Sequence, residues 1–290
     1  MAARHWGREL TKLGHTVKLM AAKFVIPYGQ RAKNDANDAE AICEAVGRPD
    51  MRFVAIKSEE QQSVLMVHRA RSLVMASRTA QVNQIRGLLA EFGIVVSQGV
   101  ARLRRELPGI LEDAENGLSA LAREVFARLL EQFRDFDRQA VAYDRHIRAL
   151  AQASEPARRL MQVEAIGPQT AAALVASIGD PHVFRNGRSF AASLGIVPSQ
   201  HSSGGAQRLG PITRQGDRYL RTLLIHGARA YLKCVDRRCD RKSAWARRLK
   251  ERRHVNAADV ALAAKHARIA WAMLARGTEY RRAGLEVSPA

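Results

Sequence analysis

Two aspartates three residues apart are the first residues with chemical reach. Asp35 and Asp38 stand in Lys-Asn-Asp-Ala-Asn-Asp-Ala-Glu, and that spacing puts both carboxylates on one face of a helix. Like charges so close repel each other, and a hard cation such as Mg²⁺ offsets the repulsion by taking their oxygens. A helix N-terminus favours the same pair through its macrodipole, so spacing alone leaves both readings open. A second group is Ser202-Ser203-Gly204-Gly205, which follows Leu194-Gly-Ile-Val-Pro198. A serine on a glycine-bounded loop among arginines could attack a phosphodiester, with the cations stabilising the extra phosphoryl charge. Most stretches of this composition are plain flexible loops.

A third group is Val163-Glu-Ala-Ile-Gly-Pro-Gln-Thr-Ala-Ala-Ala-Leu174. It resembles a helix-hairpin-helix, in which a tight glycine turn opens a helix whose N-terminal amides face a DNA phosphate. Gly167 and Thr170 are its candidate contacts. Two glycines usually flank the apolar residue of such a turn, and here Ala165 stands in place of the first. An ordinary helix-turn-helix core is the competing reading.

The elements that must position these residues fall into three segments. The first reads as α/β: a helix over 3–13, a strand over His15–Met20, a loop at Pro27, Tyr28 and Gly29, a helix over Asp35–Val46, and a strand over Arg52–Lys57. Strand, helix, strand suits a βαβ unit, although two strands make no stable sheet alone. The second segment is helical, with one helix over Gln61–Phe92, a break around Gly93 and Pro108, and a second helix over about Gly117–Ala153. The last apolar positions of that helix, Phe133, Phe136, Ala140, Tyr143, Ile147 and Leu150, are spaced as in a coiled coil. A hairpin packed on itself and a long antiparallel pair or dimerising coiled coil both fit. The third segment begins near Pro156 and has helix patterns at 169–178, 217–233 and 256–276, with Asp217 and Asn256 as N-caps.

The 47 basic residues against 28 acidic give a formal charge of +19, which favours a polyanionic partner, nucleic acid or an acidic membrane surface. The excess is uneven: +4 over 1–57, zero over 58–155, and +15 over 156–290. Its densest stretch is Arg237, Arg238, Arg241, Lys242, Arg247, Arg248, Lys250, Arg252 and Arg253, with Trp245 interleaved and only Asp236, Asp240 and Glu251 diluting it. That pattern points to nucleic acid over a solvated helix face. No run of about 18 apolar residues spans a bilayer, and the N-terminus has no signal-peptide core. Cys43, Cys234 and Cys239 form neither a disulfide framework nor a zinc motif. Plain thiols and a cytoplasmic location, with no membrane partner, are the expectation.

In order and spacing, several stretches resemble the IS-110-type insertion-sequence transposases, of the IS-1111 branch. They are Lys33–Ala45, the Ile166-Gly-Pro-Gln-Thr-Ala hairpin, Ile178-Gly-Asp, Phe190–Pro198, Ser202-Ser-Gly-Gly, Leu209–Arg221 and Val260–Arg268. The resemblance covers nearly the whole chain. It implies an α-rich mixed α/β fold in three parts: a partial RNase-H-like, RuvC-like domain over 1–57, a helical coiled-coil region over 58–155, and a mainly α transposase domain over 156–290 with the helix-hairpin-helix-like motif. Members are recombinases that excise and insert a mobile element, and some are guided by a structured RNA from the element. Asp35 and Asp38 match the last two acids of the family's Asp-Glu-Asp-Asp Mg²⁺ site. Ser203 best matches its catalytic serine, with Ser202 the alternative.

The candidate nucleic-acid contacts are Gly167, Thr170, Arg208, Arg214, Arg218, Arg221, Arg247, Arg248, Lys250, Arg252, Arg253, Lys265 and Arg268. The expected partners are DNA, a structured guide RNA and further copies of the chain through the helical region. In the family a first Asp lies on an opening strand and a Glu just before the segment matched by His5-Trp6. The stretch Met-Ala-Ala-Arg-His-Trp holds neither, and Glu9 falls inside the following helix. The expectation is a site with two of its four acids, a sheet short of its first strands, and no recombination by this chain alone. A non-catalytic nucleic-acid-binding remnant is the alternative. A structural coiled-coil protein leaves the +15 of the last segment unexplained.

Overall fold

The computed structural model describes residues 3–29, 34–202 and 206–281. The first segment holds α1 (Ala3–Lys12), β1 (Leu19–Met20), α2 (Ala22–Val25), α3 (Asp35–Val46) and β2 (Phe53–Val54). Helix α3 starts where the Asn34 side chain accepts a hydrogen bond from the Asn37 amide at 2.7 Å, a standard N-cap. The strands are shorter than the sequence suggests, and they pair antiparallel, Leu19 with Val54 and Met20 with Phe53. The expected βαβ unit is thus corrected, since it would need a parallel pair. The segment buries little: Gly7, Ala41 and Ala45 are covered, while Trp6, Leu13 and Ile26 are 59%, 75% and 71% exposed.

The middle segment consists of α4 (Glu59–Glu91), α5 (Val100–Glu112) and α6 (Ala120–Ala153). Ser58 and Gln61 form a reciprocal capping box that starts α4. Helices α4 and α6 run antiparallel, because Arg71 pairs with Asp144 at 2.6 Å and Arg78, further along α4, pairs with Asp137, further back on α6, at 3.0 Å. Ile85 and Leu89 of α4 meet Phe126, Leu130 and Phe133 of α6, and Leu103 and Leu107 of α5 close the cluster. The coiled-coil-spaced residues of α6 are therefore used inside the chain. The buried stripe begins at Phe126 and Leu130, while Leu121 and Val125 are exposed. Pro108 does not break the chain but sits inside α5. Its missing N–H leaves one carbonyl of the preceding turn without an intrahelical partner.

The last segment holds α7 (Glu155–Met161), α8 (Pro168–Ile178), α9 (Gly187–Ser193), β3 (Pro198–Gln200), β4 (Leu209–Ile212), α10 (Arg218–Lys233), α11 (Arg241–Arg252) and α12 (Val255–Arg276). Their apolar faces form one core with Ile147 and Ala151 of α6, and Val64 and Val67 of α4 pack onto it. The turn between α7 and α8 puts Ala165 at φ 76, so the position usually given to glycine keeps the glycine conformation with an alanine in it. That costs roughly 1 kcal/mol. The Ala165 carbonyl lies against Gly227 of α10, where an added Cβ would come within 2.1 Å of it. Gly195 and Gly216 interlock the loops after α9 and before α10: their φ values are positive, and Cβ atoms there would lie 2.2 Å from Gln215 O and 1.7 Å from Ser193 O. Asp217 caps α10 as expected, accepting from the amides of Tyr219 and Leu220. Helix α12 is capped by His254, whose Nδ1 accepts from the Asn256 amide. Asn256 is therefore the second helical residue and not the cap.

Candidate nucleic-acid interface

Asp35 and Asp38 fall in the first turn of α3, both exposed. Among the described residues neither carboxylate has a hydrogen bond or an ion pair. Two un-neutralised carboxylates on one face fit oxygen ligation of a hard cation that keeps much of its water. They supply one side of such a site only, since among the described residues no group of three or more His, Cys, Asp or Glu is placed to hold a metal. No hydrogen bond or ion pair among the described residues joins them to the serine loop.

Ser203 lies outside the described residues, as do Gly204 and Gly205. The residues flanking them belong to the antiparallel hairpin of β3 and β4, whose last backbone bond runs from the His201 amide to the Arg208 carbonyl at 2.9 Å. Ser202 is exposed, and its hydroxyl accepts from Gln200 Nε2 at 2.9 Å. Arg208, Arg214 and Arg218 are exposed, without side-chain hydrogen bonds or ion pairs among the described residues. Arg221 instead braces the interlocked loops, donating to Leu194 O at 2.9 Å and Gln215 O at 3.2 Å.

The basic stretch divides sharply on burial. Arg248, Lys250, Arg252 and Arg253 are exposed. Lys250 is tied to Asp236 at 3.2 Å, and Arg252 donates to the Arg248 carbonyl at 3.1 Å. Lys242 points inward, 8% exposed, and pairs with Glu164 and the Tyr280 hydroxyl. Burial pushes the Glu164 carboxyl up, but the Lys242 ammonium, a backbone hydrogen bond and the Tyr280 hydroxyl together leave it below its ordinary value. Arg247 holds the carbonyls of Val235 and Arg238. Trp245 is covered by Lys265, whose ammonium sits 4.2 Å from the ring centroid, so that face of the ring is taken. Arg268 is exposed and donates to Ala264 O. At the α7–α8 turn, Gly167 is exposed, with open space where a Cβ would stand. Thr170 is 5% exposed; its side chain faces the core, and only its backbone amide belongs to the helix N-terminus.

Reading the sequence missed a cleft of about 690 Å³ lined by Arg4, Lys57, His68, Arg69, Phe184, Phe190, Arg218 and Tyr219, among others. Lys57 reaches across to the end of α8 and donates to Ala176 O at 3.2 Å and to Ser177 O. Burial, with Arg4 nearby, pushes its pKa down to about 8. His68 Nδ1 lies 2.9 Å from the Tyr219 hydroxyl. Burial and then Arg71 push its pKa down to about 4, so the ring is neutral near pH 7. These partners are more than a hundred residues apart in sequence, and no local pattern announces them.

Comparison with known proteins places these features in a family. A family model described as "Transposase IS116/IS110/IS902 family" matches residues 157–244, and a DEDD transposase model of the same group matches residues 12–94. A "Probable family 20 transposase" of Pseudomonas aeruginosa is 48% identical over 281 residues, covering 97% of this chain and 83% of that protein. The chain belongs to the IS116/IS110/IS902 family of transposases. The transposase for insertion sequence element IS1111A of Coxiella burnetii is 42% identical over 96% of this chain and 77% of its own length. That for IS1328 of Yersinia enterocolitica is 36% identical over 97% and 83%. The first family segment contains Asp35 and Asp38 and spans the whole of α4. The second contains the α7–α8 turn, the serine hairpin and Arg208 to Arg221, and it ends inside α11. Among the described residues no helix is long and apolar enough to cross a membrane.

Proposed function

We propose that this chain is a DNA transposase of the kind that mobilises an insertion sequence by strand cleavage and exchange, with Ser203 as the nucleophile, and that with two of the family's four acids it does not recombine by itself. The observation that carries this reading is the near-full-length similarity to insertion-sequence transposases, with the acid pair in one family segment and the serine hairpin in the other. The serine Oγ forms a bond to the scissile phosphorus while the bond from phosphorus to one strand oxygen breaks. That strand leaves as a hydroxyl carrying the serine's proton, and the phosphodiester is kept as a protein–DNA ester that a second strand's hydroxyl can reverse. Arg208 and Arg214, whose side chains have no hydrogen bond or ion pair among the described residues, would neutralise the charge that builds on the phosphoryl oxygens. Asp35 and Asp38 would hold Mg²⁺, which supplies positive charge to the phosphate when bound.

The division into a RuvC-like part over 1–57, a helical part over 58–155 and a transposase part over 156–290 belongs to this reading. So does a helix-hairpin-helix role for α7 and α8, with Gly167 and the α8 amides toward a phosphate. A structured guide RNA is a second partner, and copies assemble through the outer faces of α4 and α6, which expose Met66, Leu73 and Val141. Phosphate contact falls to Arg248, Lys250, Arg252, Arg253 and Arg268, while Arg221, Arg247 and Lys265 act mainly by holding the surface in shape. The test is binding of a labelled duplex by the chain and by Arg248→Glu with Arg253→Glu. The double variant should bind all sequences more weakly by a similar factor, because phosphate contacts carry no sequence information. Unchanged affinity would refute the assignment of this face.

A further inference from the structure

The cleft between α1, β2, α4, α8 and α10 gathers more positive charge than its walls neutralise. Arg4, Lys57, Arg69 and Arg218 line it, against one carboxylate, that of Asp217, among the described residues. Arg4 and Arg69 repel each other, and both act on Lys57. Lys57 is engaged with two carbonyls and Arg4 with Gln62 Oε1 at 3.3 Å. The guanidinium groups of Arg69 and Arg218 have no hydrogen bond or ion pair among the described residues. Cations crowded between low-dielectric walls focus their field on whatever anion enters.

The rest of the wall is neutral or apolar. His68 is 2% exposed and lies in the wall with its Nδ1 2.9 Å from the Tyr219 hydroxyl, neutral near pH 7. Its aromatic part is the half-buried Phe184, which packs edge to face on the buried Phe190 with centroids 5.2 Å apart, beside the buried Leu194. A volume of about 690 Å³ accommodates a base, a sugar and a phosphate, and is far too small for a duplex.

We propose that this cleft binds one unpaired nucleotide, its phosphate among Arg4, Arg69 and Arg218 and its base against Phe184. The proposal deepens the nucleic-acid reading above and rests on it: unpaired nucleotides arise where strands separate for exchange and in the loops of a structured RNA. Arginines for the backbone and rings for the base are the usual means of holding a single strand.

The test titrates the 290-residue chain with a single-stranded oligonucleotide and with a duplex of equal length, and uses a nucleoside 5′-monophosphate and inorganic phosphate as competitors. Arg4→Gln combined with Arg69→Gln should lower single-strand affinity at least about tenfold and duplex affinity by less than about threefold. Phe184→Ala should lower single-strand affinity by about tenfold through lost stacking. The monophosphate should compete with the strand, and inorganic phosphate should not. Equal losses for strand and duplex in the double arginine variant would overturn the proposal, as would unchanged strand affinity or equal competition by inorganic phosphate. Arg69 is exposed and contributes little packing, so the arginine test stands even where Phe184→Ala impairs folding. A chain that binds neither strand nor duplex refutes the proposed function first. Equilibrium dialysis against the monophosphate, with and without the arginine substitutions, then decides the cleft separately: binding that the substitutions abolish supports it, and absence of binding overturns it.

Discussion

Raising the pH from about 7.5 to 10.5 should stabilise the chain through Lys57. Its ammonium is buried at the end of α8, 7% exposed, on the carbonyls of Ala176 and Ser177. Burial first, and Arg4 second, lower its pKa from 10.5 to about 8. Between those two values the unfolded chain holds the proton and the folded chain does not. The unfolded state therefore binds more protons there, and stability rises with pH. The contribution is complete above the unfolded value and is lost as the pH falls through the folded one. The gap corresponds to about 3 kcal/mol. The negative end of the α8 dipole favours the charged form, which makes that figure an upper bound. The assay is urea unfolding at several pH values for the wild-type chain and for Lys57→Met, which keeps the length and removes the charge. Tyrosines and other lysines titrate in both proteins and cancel in the difference. The stability difference between the two should move in favour of the wild type as the pH rises. Parallel pH profiles would refute the reasoning about Lys57.

Three further outcomes are open to direct measurement. Ala165→Gly should raise stability by roughly 1 kcal/mol by relieving a left-handed alanine, whereas Gly227→Ala should lower it by more than about 2 kcal/mol because the new Cβ meets a backbone carbonyl; thermal unfolding reads both, and a destabilised Ala165→Gly would contradict the strain. Asp137 accepts from Arg78 at 3.0 Å and from Arg104 at 2.6 Å, so Asp137→Ala should cost about 1–3 kcal/mol by leaving Arg78 half-buried and unpaired, and a neutral result would show that the α4–α6 seam is held by its apolar contacts alone. In a recombination-competent preparation Ser203→Ala should abolish the covalent protein–DNA adduct and leave DNA binding intact; an adduct kept in Ser203→Ala and lost in Ser202→Ala moves the nucleophile by one residue.

Elements with local punctuation were legible in the sequence. Helix α3 occupies the predicted residues because Asn34 caps it and Gly47 follows it, and α10 begins after Asp217 because that carboxylate takes two amides. The long helices α4 and α6 were legible from their length and from the spacing of Phe133, Ala140 and Ile147, which are buried. Helix α5 was hidden because Pro108 reads as a breaker, yet its ring is tolerated once Leu103 and Leu107 dock on the α4–α6 pair. The direction of the β1–β2 pair is set by tertiary packing, which no periodicity records. In the candidate site the exposed cations Arg248 and Arg253 could be read from charge density. Density did not separate them from Lys242, which pairs inside with Glu164, or from Arg247, which holds two carbonyls. The Lys57, His68 and Tyr219 cluster was invisible because every contact in it is long-range.

The most direct test of the nucleic-acid reading is the salt dependence of duplex binding by the intact chain. Fluorescence anisotropy between 50 and 200 mM salt should show affinity falling by about a hundredfold or more, as expected when several phosphates are neutralised and counterions released. Arg248→Glu with Arg253→Glu should flatten the logarithmic slope by about two. Absence of binding at 50 mM salt, or an affinity indifferent to salt, would contradict the assignment of the C-terminal segment to DNA.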